Sequence, residues 1–186
     1  MPPKFKITKQ QIIDTALDIV RREGAQAINA RNIAKVLGCS TQPVFSNFES
    51  MEILRCAVAQ RAQGLCEEYL KKEIESGEYP VYKANGMAYI RFAKEEKELF
   101  KLLYMCDRTG ETLPESDELL NRMEDLVQEN TGLRHQQAKL FHFEMWAFVH
   151  GIATMIATGF LDVSTELVSK MMTDAYLGLK KQYGME

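Results

Sequence analysis

The amino-acid sequence predicts an all-α protein of about nine helices. Along most of the chain, apolar residues recur every three or four positions, which is the spacing of one helix face. Ser, Thr or Asn precedes several of these segments and Gly follows some of them, as at helix ends. No segment alternates apolar and polar residues as a half-buried strand does. We expect two helical domains, 1–50 and 51–186.

The first two helices have clear boundaries in the sequence. Thr8 and Gln11 match a T-x-x-Q capping box, and Gly24 can end the helix that follows. Asn29 is expected to cap a second, short helix, which stops at Gly38.

Ser40 is expected to cap a third helix of about two turns, with Pro43 in its first turn, where an N–H is not needed. Ser50 starts a long helix that is broken near Gly77 and Pro80. Further helices are expected at about 81–95, 97–106, 117–130, 135–160 and 164–183.

The charge of the chain is unevenly distributed. The whole chain has a formal net charge of −3, but residues 1–50 hold seven basic and four acidic residues, and the remainder holds 16 basic and 22 acidic residues. A basic segment 1–50 followed by an acidic remainder suggests that a polyanion binds the N-terminal segment. The alternative is chance, since an excess of three positive charges is modest.

Several classes of protein and of site are not supported by the sequence. The four cysteines form no C-x-x-C pair, and the N-terminus has no apolar signal-peptide core, so we expect a cytoplasmic protein. The longest apolar run, 145–161, is short for a membrane span. His142 and His150 lie about 12 Å apart along a helix, too far to share a metal ion. Because catalytic and phosphate-binding motifs are missing too, we expect no enzyme activity, cofactor or metal.

The most informative motif is Ala34-x-x-x-Gly38-x5-Val44. Two helices that meet near a right angle need a small residue at the close approach, here Ala34, and a glycine at the turn, here Gly38. They also need a branched apolar residue on the second helix, here Val44, packed on Ile33 and Leu37. This spacing predicts a helix-turn-helix, whose second helix enters the DNA major groove.

The segment IIDTALDIVRREGAQAINARNIAKVLGCSTQPVFSNFESMEILRCAV resembles the N-terminal domain of the tetracycline repressor (TetR) family of transcriptional regulators. The resemblance covers about residues 8–58 and is carried by the A-L-x-x-V…G, I-A-K-x-L-G and V-F-x-x-F-x-S elements. Trp146, His150 and Gly151 are similar to a pattern in some C-terminal domains of that family. The resemblance implies a dimeric, two-domain repressor whose larger domain binds a small effector.

The candidate DNA-binding residues lie on the N-terminal arm and on the second and third helices. Hydroxyl and amide groups at the start of the third helix suit base edges or phosphate oxygens, and lysines in the arm suit phosphates. The resemblance places the start of the second helix near a backbone phosphate. The set is Lys4, Lys6, Lys9, Asn29, Arg31, Ser40, Thr41, Gln42, Phe45, Ser46 and Asn47. The alternative is that these are solvated cap and surface residues.

At two positions the chain departs from the family pattern. The family usually has tyrosine at Phe45 and lysine at Met51, and both of those side chains bind phosphate. Their loss predicts weaker DNA binding, with a salt dependence smaller by about one unit of slope for the lost charge. Phe45 can still contact a sugar or a thymine methyl group.

The helix at 135–160 is apolar on two faces, so it needs two partners: its own core and something else. We expect a homodimer in which this helix and the last one form a four-helix bundle, as suits a palindromic operator. The predicted interface residues are Val149, His150, Ala153, Ala157, Val168, Met172 and Ala175. The alternative is a monomer whose last helices bury each other.

Aromatic and Met-rich helices can line an adaptable apolar cavity. The candidate ligand-binding residues are Tyr89, Phe92, Tyr104, Met105, Cys106, His142, Met145 and Trp146. The alternative is that these eight side chains are ordinary residues of the hydrophobic core.

Taken together, the sequence predicts a repressor of transcription that a small apolar or amphipathic effector releases from double-stranded DNA. The alternative is an all-α dimeric interaction module of the same fold, without an inducer or with weakened DNA binding.

Overall fold

The computed structural model describes residues 7–106 and 118–185, and this part of the chain contains nine α-helices and no strand. A short 3₁₀ helix, Ala25–Ala27, separates the first two. The helices are α1 (Lys9–Glu23), α2 (Ala30–Leu37), α3 (Gln42–Asn47), α4 (Met51–Ser76), α5 (Val81–Glu95), α6 (Lys97–Tyr104), α7 (Glu118–Thr131), α8 (His135–Ala157) and α9 (Thr165–Gln182). The predicted all-α class is confirmed.

Side-chain capping explains the starts of α1, α2, α4 and α9. Thr8 accepts a hydrogen bond from the Gln11 amide while the Gln11 side chain accepts one from the Thr8 amide, which completes the predicted capping box. Asn29 caps α2 through the Asn32 amide, as expected. The 3₁₀ helix after Gly24 was not predicted, because three residues carry no periodic signal.

The described residues form two compact units. Their boundary differs from the expected one, which lay between residues 50 and 51. The first unit contains the residues up to Glu67 together with Glu96–Cys106, and the second contains Glu68–Glu95 and the remainder. The division therefore falls inside α4, and α6 belongs to the N-terminal unit because it packs on α1.

The first unit has its own apolar core under α1, α2 and α3. Ile12, Ala16 and Val20 on α1 are fully buried, and so is Ile33 on α2. This core holds the short α3, which has too few residues to be stable alone.

In the second unit, α8 is in contact with α5, α7 and α9. Phe141, Met145 and Ile152 are buried on one face of α8, and Val149 and Ala153 are buried on another. These residues are covered by helices of the same chain, whereas Trp146 and Phe148 on α8 are 44% and 36% exposed. The expectation that α8 needs a second partner therefore stays a prediction.

Of the described helices, α8 alone is long and apolar enough to cross a membrane, with a mean hydropathy of 1.3 over its most apolar window. Of that window, 44% is buried inside the structure, where α8 contacts α5, α7 and α9.

Candidate nucleic-acid interface and effector region

The turn between α2 and α3 has the geometry that the sequence motif requires. Gly38 has φ 64° and ψ 35°, the left-handed conformation that glycine adopts without strain. The amide of Cys39 donates to the carbonyl of Ala34 at 3.0 Å, which closes the end of α2. Ala34 and Val44 are buried at 4% and 1% exposure, so the small and branched residues lie at the contact between the helices.

The start of α3 differs from the expectation in one detail. Thr41, not Ser40, precedes the helix, and its side chain makes no capping hydrogen bond. Pro43 lies in the first turn, as predicted, and Phe48 ends the helix. Ser40 is exposed and Thr41 is half-buried.

The outward side of α3 carries Gln42, Phe45 and Ser46, all exposed. Ser46 Oγ donates to the carbonyl of Gln42 at 2.8 Å, and the half-buried Asn47 Nδ2 donates to the carbonyl of Pro43 at 2.8 Å. The side chains of Ser46 and Asn47 thus donate to backbone carbonyls of their own helix. The Phe45 side chain is 57% exposed.

The positively charged candidates lie on α1 and α2. Lys9 is exposed, with its Nζ 5.1 Å from the centroid of the Phe48 ring, and Arg31 is exposed on the first turn of α2. Asn29 is exposed but uses its side-chain oxygen as the cap of α2. The predicted arm residues Lys4 and Lys6 lie outside the described residues.

No lysine or arginine occurs in the sequence between Lys35 and Arg55. The same stretch contains Glu49 and Glu52, both exposed, so α3 and its flanks carry a net charge of −2. The lysine and arginine nearest to α3 in the sequence are therefore Lys35 on α2 and Arg55 on α4.

Two tyrosine–histidine pairs connect α5 with α8 in the second unit. Tyr82 Oη lies 3.0 Å from His142 Nδ1, and Tyr89 Oη lies 2.9 Å from His150 Nδ1. Burial lowers the pKa of His142, and the charge of Glu124 partly opposes this shift. Burial also lowers the pKa of His150. The imidazole of His142 is buried, whereas His150 is half-buried.

Five of the eight residues expected to bind a ligand belong to the second unit. Phe92 and Met145 are buried in the core, and His142 is bonded to Tyr82. Tyr89 is paired with His150, and Trp146 is 44% exposed.

The other three candidates, Tyr104, Met105 and Cys106, belong to the first unit. Tyr104 donates at 3.4 Å to Gln63 Oε1, and Met105 and Cys106 are exposed. The eight candidates are thus divided between the two units, and a ligand site built from them stays a prediction.

A cavity of about 200 Å³ lies elsewhere in the second unit, between α5, the end of α8 and the start of α9. Lys94 Nζ donates to the carbonyl of Val163 at 3.1 Å and lies 3.6 Å from Asp162 Oδ1 at its rim. The cavity is lined by Met87, Ile90, Arg91, Lys94, Glu95, Ile156, Val163, Thr165 and Val168. None of these lining residues was among the eight candidates, because the lining comes from segments far apart in sequence.

The seven residues expected at a dimer interface are mostly internal. Five of them are at most 7% exposed within the single chain: Val149, Ala153, Ala157, Val168 and Met172. His150 and Ala175 are half-buried. The five buried side chains are covered by their own chain, so they offer no surface to a partner in this conformation.

A different face of α8 is both apolar and exposed. Leu140, Phe143 and Trp146 are 51%, 60% and 44% exposed, and Ala147 is exposed beside them. Phe143 and Trp146 are stacked, with ring centroids 5.8 Å apart, and Trp146 stacks on His150 at 5.0 Å. Leu140, Phe143 and Ala147 recur at helical spacing, a signal that was present in the sequence but was not assigned to the surface.

Comparison with known proteins bears on both units. A family model described as the tetracyclin repressor-like, C-terminal domain matches residues 82–175, slightly more than half of the chain. None of the curated proteins is similar enough in sequence to count as a match.

Solved structures share the fold over nearly the whole chain. A TetR-like transcriptional regulator from Rhodococcus sp. RHA1 has a TM-score of 0.71 at 19% identity, covering 96% of this chain and 98% of that one. A TetR family transcriptional regulator from Vibrio parahaemolyticus has a TM-score of 0.64 at 13% identity, covering 90% and 96%. The family model and the all-α fold of the described residues agree with the N-terminal motif: the chain belongs to the tetracycline repressor (TetR) family of transcriptional regulators.

Proposed function

We propose that the chain is a cytoplasmic, sequence-specific DNA-binding regulator, most simply a repressor that a small effector releases. The observation that supports this most is the turn at Gly38, which joins α2 to α3 with Ala34 and Val44 buried at the helix contact. A short helix held in this way exposes Gln42 to a major groove.

A gel-shift assay tests DNA binding directly. The probe is the DNA upstream of the protein's own gene, at two salt concentrations, with Gln42→Ala as the variant. We expect a specific shift that weakens at higher salt and is reduced by the substitution. The DNA-binding proposal fails if no palindromic fragment gives a specific shift and Gln42→Ala changes nothing.

We infer that the regulator acts as a homodimer through the exposed apolar face of α8. One six-residue helix reads too few bases for specificity, so two copies on a palindromic site are needed. The patch of Leu140, Phe143, Trp146 and Ala147 supports this inference, because contiguous exposed apolar surface of this kind marks interaction sites.

We further infer that the effector binds in the cavity between α5, α8 and α9. Met87, Ile90 and Val168 supply apolar walls, and Arg91 and Lys94 supply polar contacts at the rim, which suits a small amphipathic molecule. The cavity of about 200 Å³ is smaller than the usual range for drug-sized ligands, roughly 300 Å³ and above, so the effector is small or the cavity opens around it.

A thermal-shift screen with small amphipathic acids and alcohols tests the cavity. We expect at least one compound to raise the melting temperature of the native chain, and Val163→Trp, which fills the cavity, to abolish that rise. The matched control is Phe160→Trp, a change at a nearby residue that is 82% exposed. A compound that stabilises both variants equally binds elsewhere.

The second candidate function is an interaction module of the same fold with weak or lost DNA binding. The observation that favours it is the net charge of −2 in the segment between Lys35 and Arg55, which also contains the exposed Phe45. The gel-shift assay separates the two candidates, because this module gives no salt-dependent specific shift.

A further inference from the structure

Phe45 is a large apolar side chain on the outward side of α3. Val44 and Phe48 are buried at 1% and 3% exposure, whereas the Phe45 ring is 57% exposed, one turn from the exposed Gln42. A single exposed apolar residue is common and means little alone. Its position is informative, because the second helix of a helix-turn-helix turns this side toward the base edges.

The chemistry of the ring limits what it can contact in a major groove. Phe45 has no hydrogen-bond donor or acceptor, so it gains little from phosphate oxygens or from the polar edges of bases. The apolar group that bases present in the major groove is the C5 methyl of thymine. The neighbouring polar side chains are partly used within the helix, since Ser46 and Asn47 each donate to a carbonyl of α3.

We propose that Phe45 reads the C5 methyl group of a thymine in each half-site and thereby sets part of the sequence preference. This rests on the proposed DNA-binding function. Gln42 supplies the polar part of the readout, since its amide can pair with adenine. The absence of lysine and arginine between Lys35 and Arg55 leaves this segment without a cationic side chain of its own.

The test replaces thymine with deoxyuridine, which removes the methyl group and leaves the base pairing unchanged. The probe is a duplex enriched by the native protein from random DNA, resynthesised with one thymine at a time replaced. Removing a buried methyl should weaken binding about fourfold, and on the order of tenfold when both half-sites are changed.

Variants identify the residue that reads the methyl. Phe45→Ala should bind the thymine and deoxyuridine duplexes equally, and its melting temperature should stay close to that of the native chain because the ring is exposed. Gln42→Ala is the matched control: it should bind both duplexes more weakly and keep the ratio between them.

Each outcome decides the proposal. A native protein that binds both duplexes equally overturns it and leaves the DNA-binding function standing, with the ring placed against a sugar. A thymine preference that survives in Phe45→Ala also overturns it, because another residue then reads the methyl. If random DNA yields no enriched duplex, the proposed function fails and this inference fails with it.

Discussion

Arg21 on α1 and Glu96 at the start of α6 form a bidentate ion pair, although they are 75 residues apart in the sequence. Arg21 Nε lies 2.9 Å from one carboxylate oxygen and a terminal nitrogen lies 2.8 Å from the other. This hydrogen bonding raises the pKa of Arg21. The pair joins α6 to α1, on which α6 packs within the first unit.

We predict that Glu96→Gln lowers the free energy of unfolding of the first unit by about 1 kcal/mol, because a partly exposed paired charge is lost. Urea unfolding followed by far-UV circular dichroism measures the change. Asp18→Asn is the control, since Asp18 also pairs with Arg21 but at 3.3 Å and with greater exposure. Equal effects of the two substitutions would contradict a special role for Glu96.

Gly38 supplies a second prediction, on the helix-turn-helix itself. A Cβ at this position meets nothing within 4 Å, so Gly38→Ala tests backbone strain alone. With φ at +64°, alanine should cost about 1–2 kcal/mol in the free energy of unfolding. Gly64→Ala, within α4 and free of close contacts, should instead stabilise by roughly 0.5–1 kcal/mol. Thermal unfolding of both variants checks the opposite signs.

The burial of His142 predicts an acid-sensitive stability. Its pKa in the folded chain is lowered by burial, below the unfolded value of about 6.5. As pH falls below about 6.5, the unfolded chain therefore binds a proton before the folded chain does, and stability falls. Above that pH both states are neutral at this residue, so it contributes no pH dependence.

His142→Asn should reduce the loss of stability between about pH 6.5 and 5, because one of the two histidines whose pKa burial lowers is removed, while His150 keeps its own share. His135→Asn is the control, since His135 is exposed at the start of the same helix. The measurement is the melting temperature against pH for the three proteins. Parallel curves for the native chain and His142→Asn would show that His142 does not carry the dependence.

The exposed face of α8 gives a prediction about assembly. Phe143→Glu places a charge in the apolar patch and should raise the dimer dissociation constant by about 30-fold or more, as at the centre of an interface. Val36→Glu is the control, a similar change at an apolar residue that is 54% exposed in the other unit. Sedimentation equilibrium at several concentrations measures both. A native chain that stays monomeric at high concentration would contradict the dimer.

Helix positions could be predicted from the sequence because caps and turn glycines act locally. Thr8 with Gln11, Asn29 and Gly38 each mark an end through bonds to nearby residues, and the structure forms those bonds. The cap of α3 was misassigned because Ser40 and Thr41 are adjacent hydroxyl residues and periodicity does not choose between them.

Tertiary partners were harder to predict. The spacing of apolar residues shows which side chains of α8 share a face, but not whether another helix of the chain or a second copy covers it. Val149 and Ala153 were therefore assigned to an interface although α5, α7 and α9 leave them buried in the chain. The cavity near Lys94 combines three segments, and no local signal connects them.

Sequence-specific reading of DNA by a symmetric pair of α3 helices is the central element of the proposed function. Sequencing the duplexes that the native protein enriches from a random library tests this directly. We predict an inverted repeat of two equal half-sites whose centres lie about one helical turn, or a multiple of it, apart. A final pool with no sequence preference over the starting library would contradict the account.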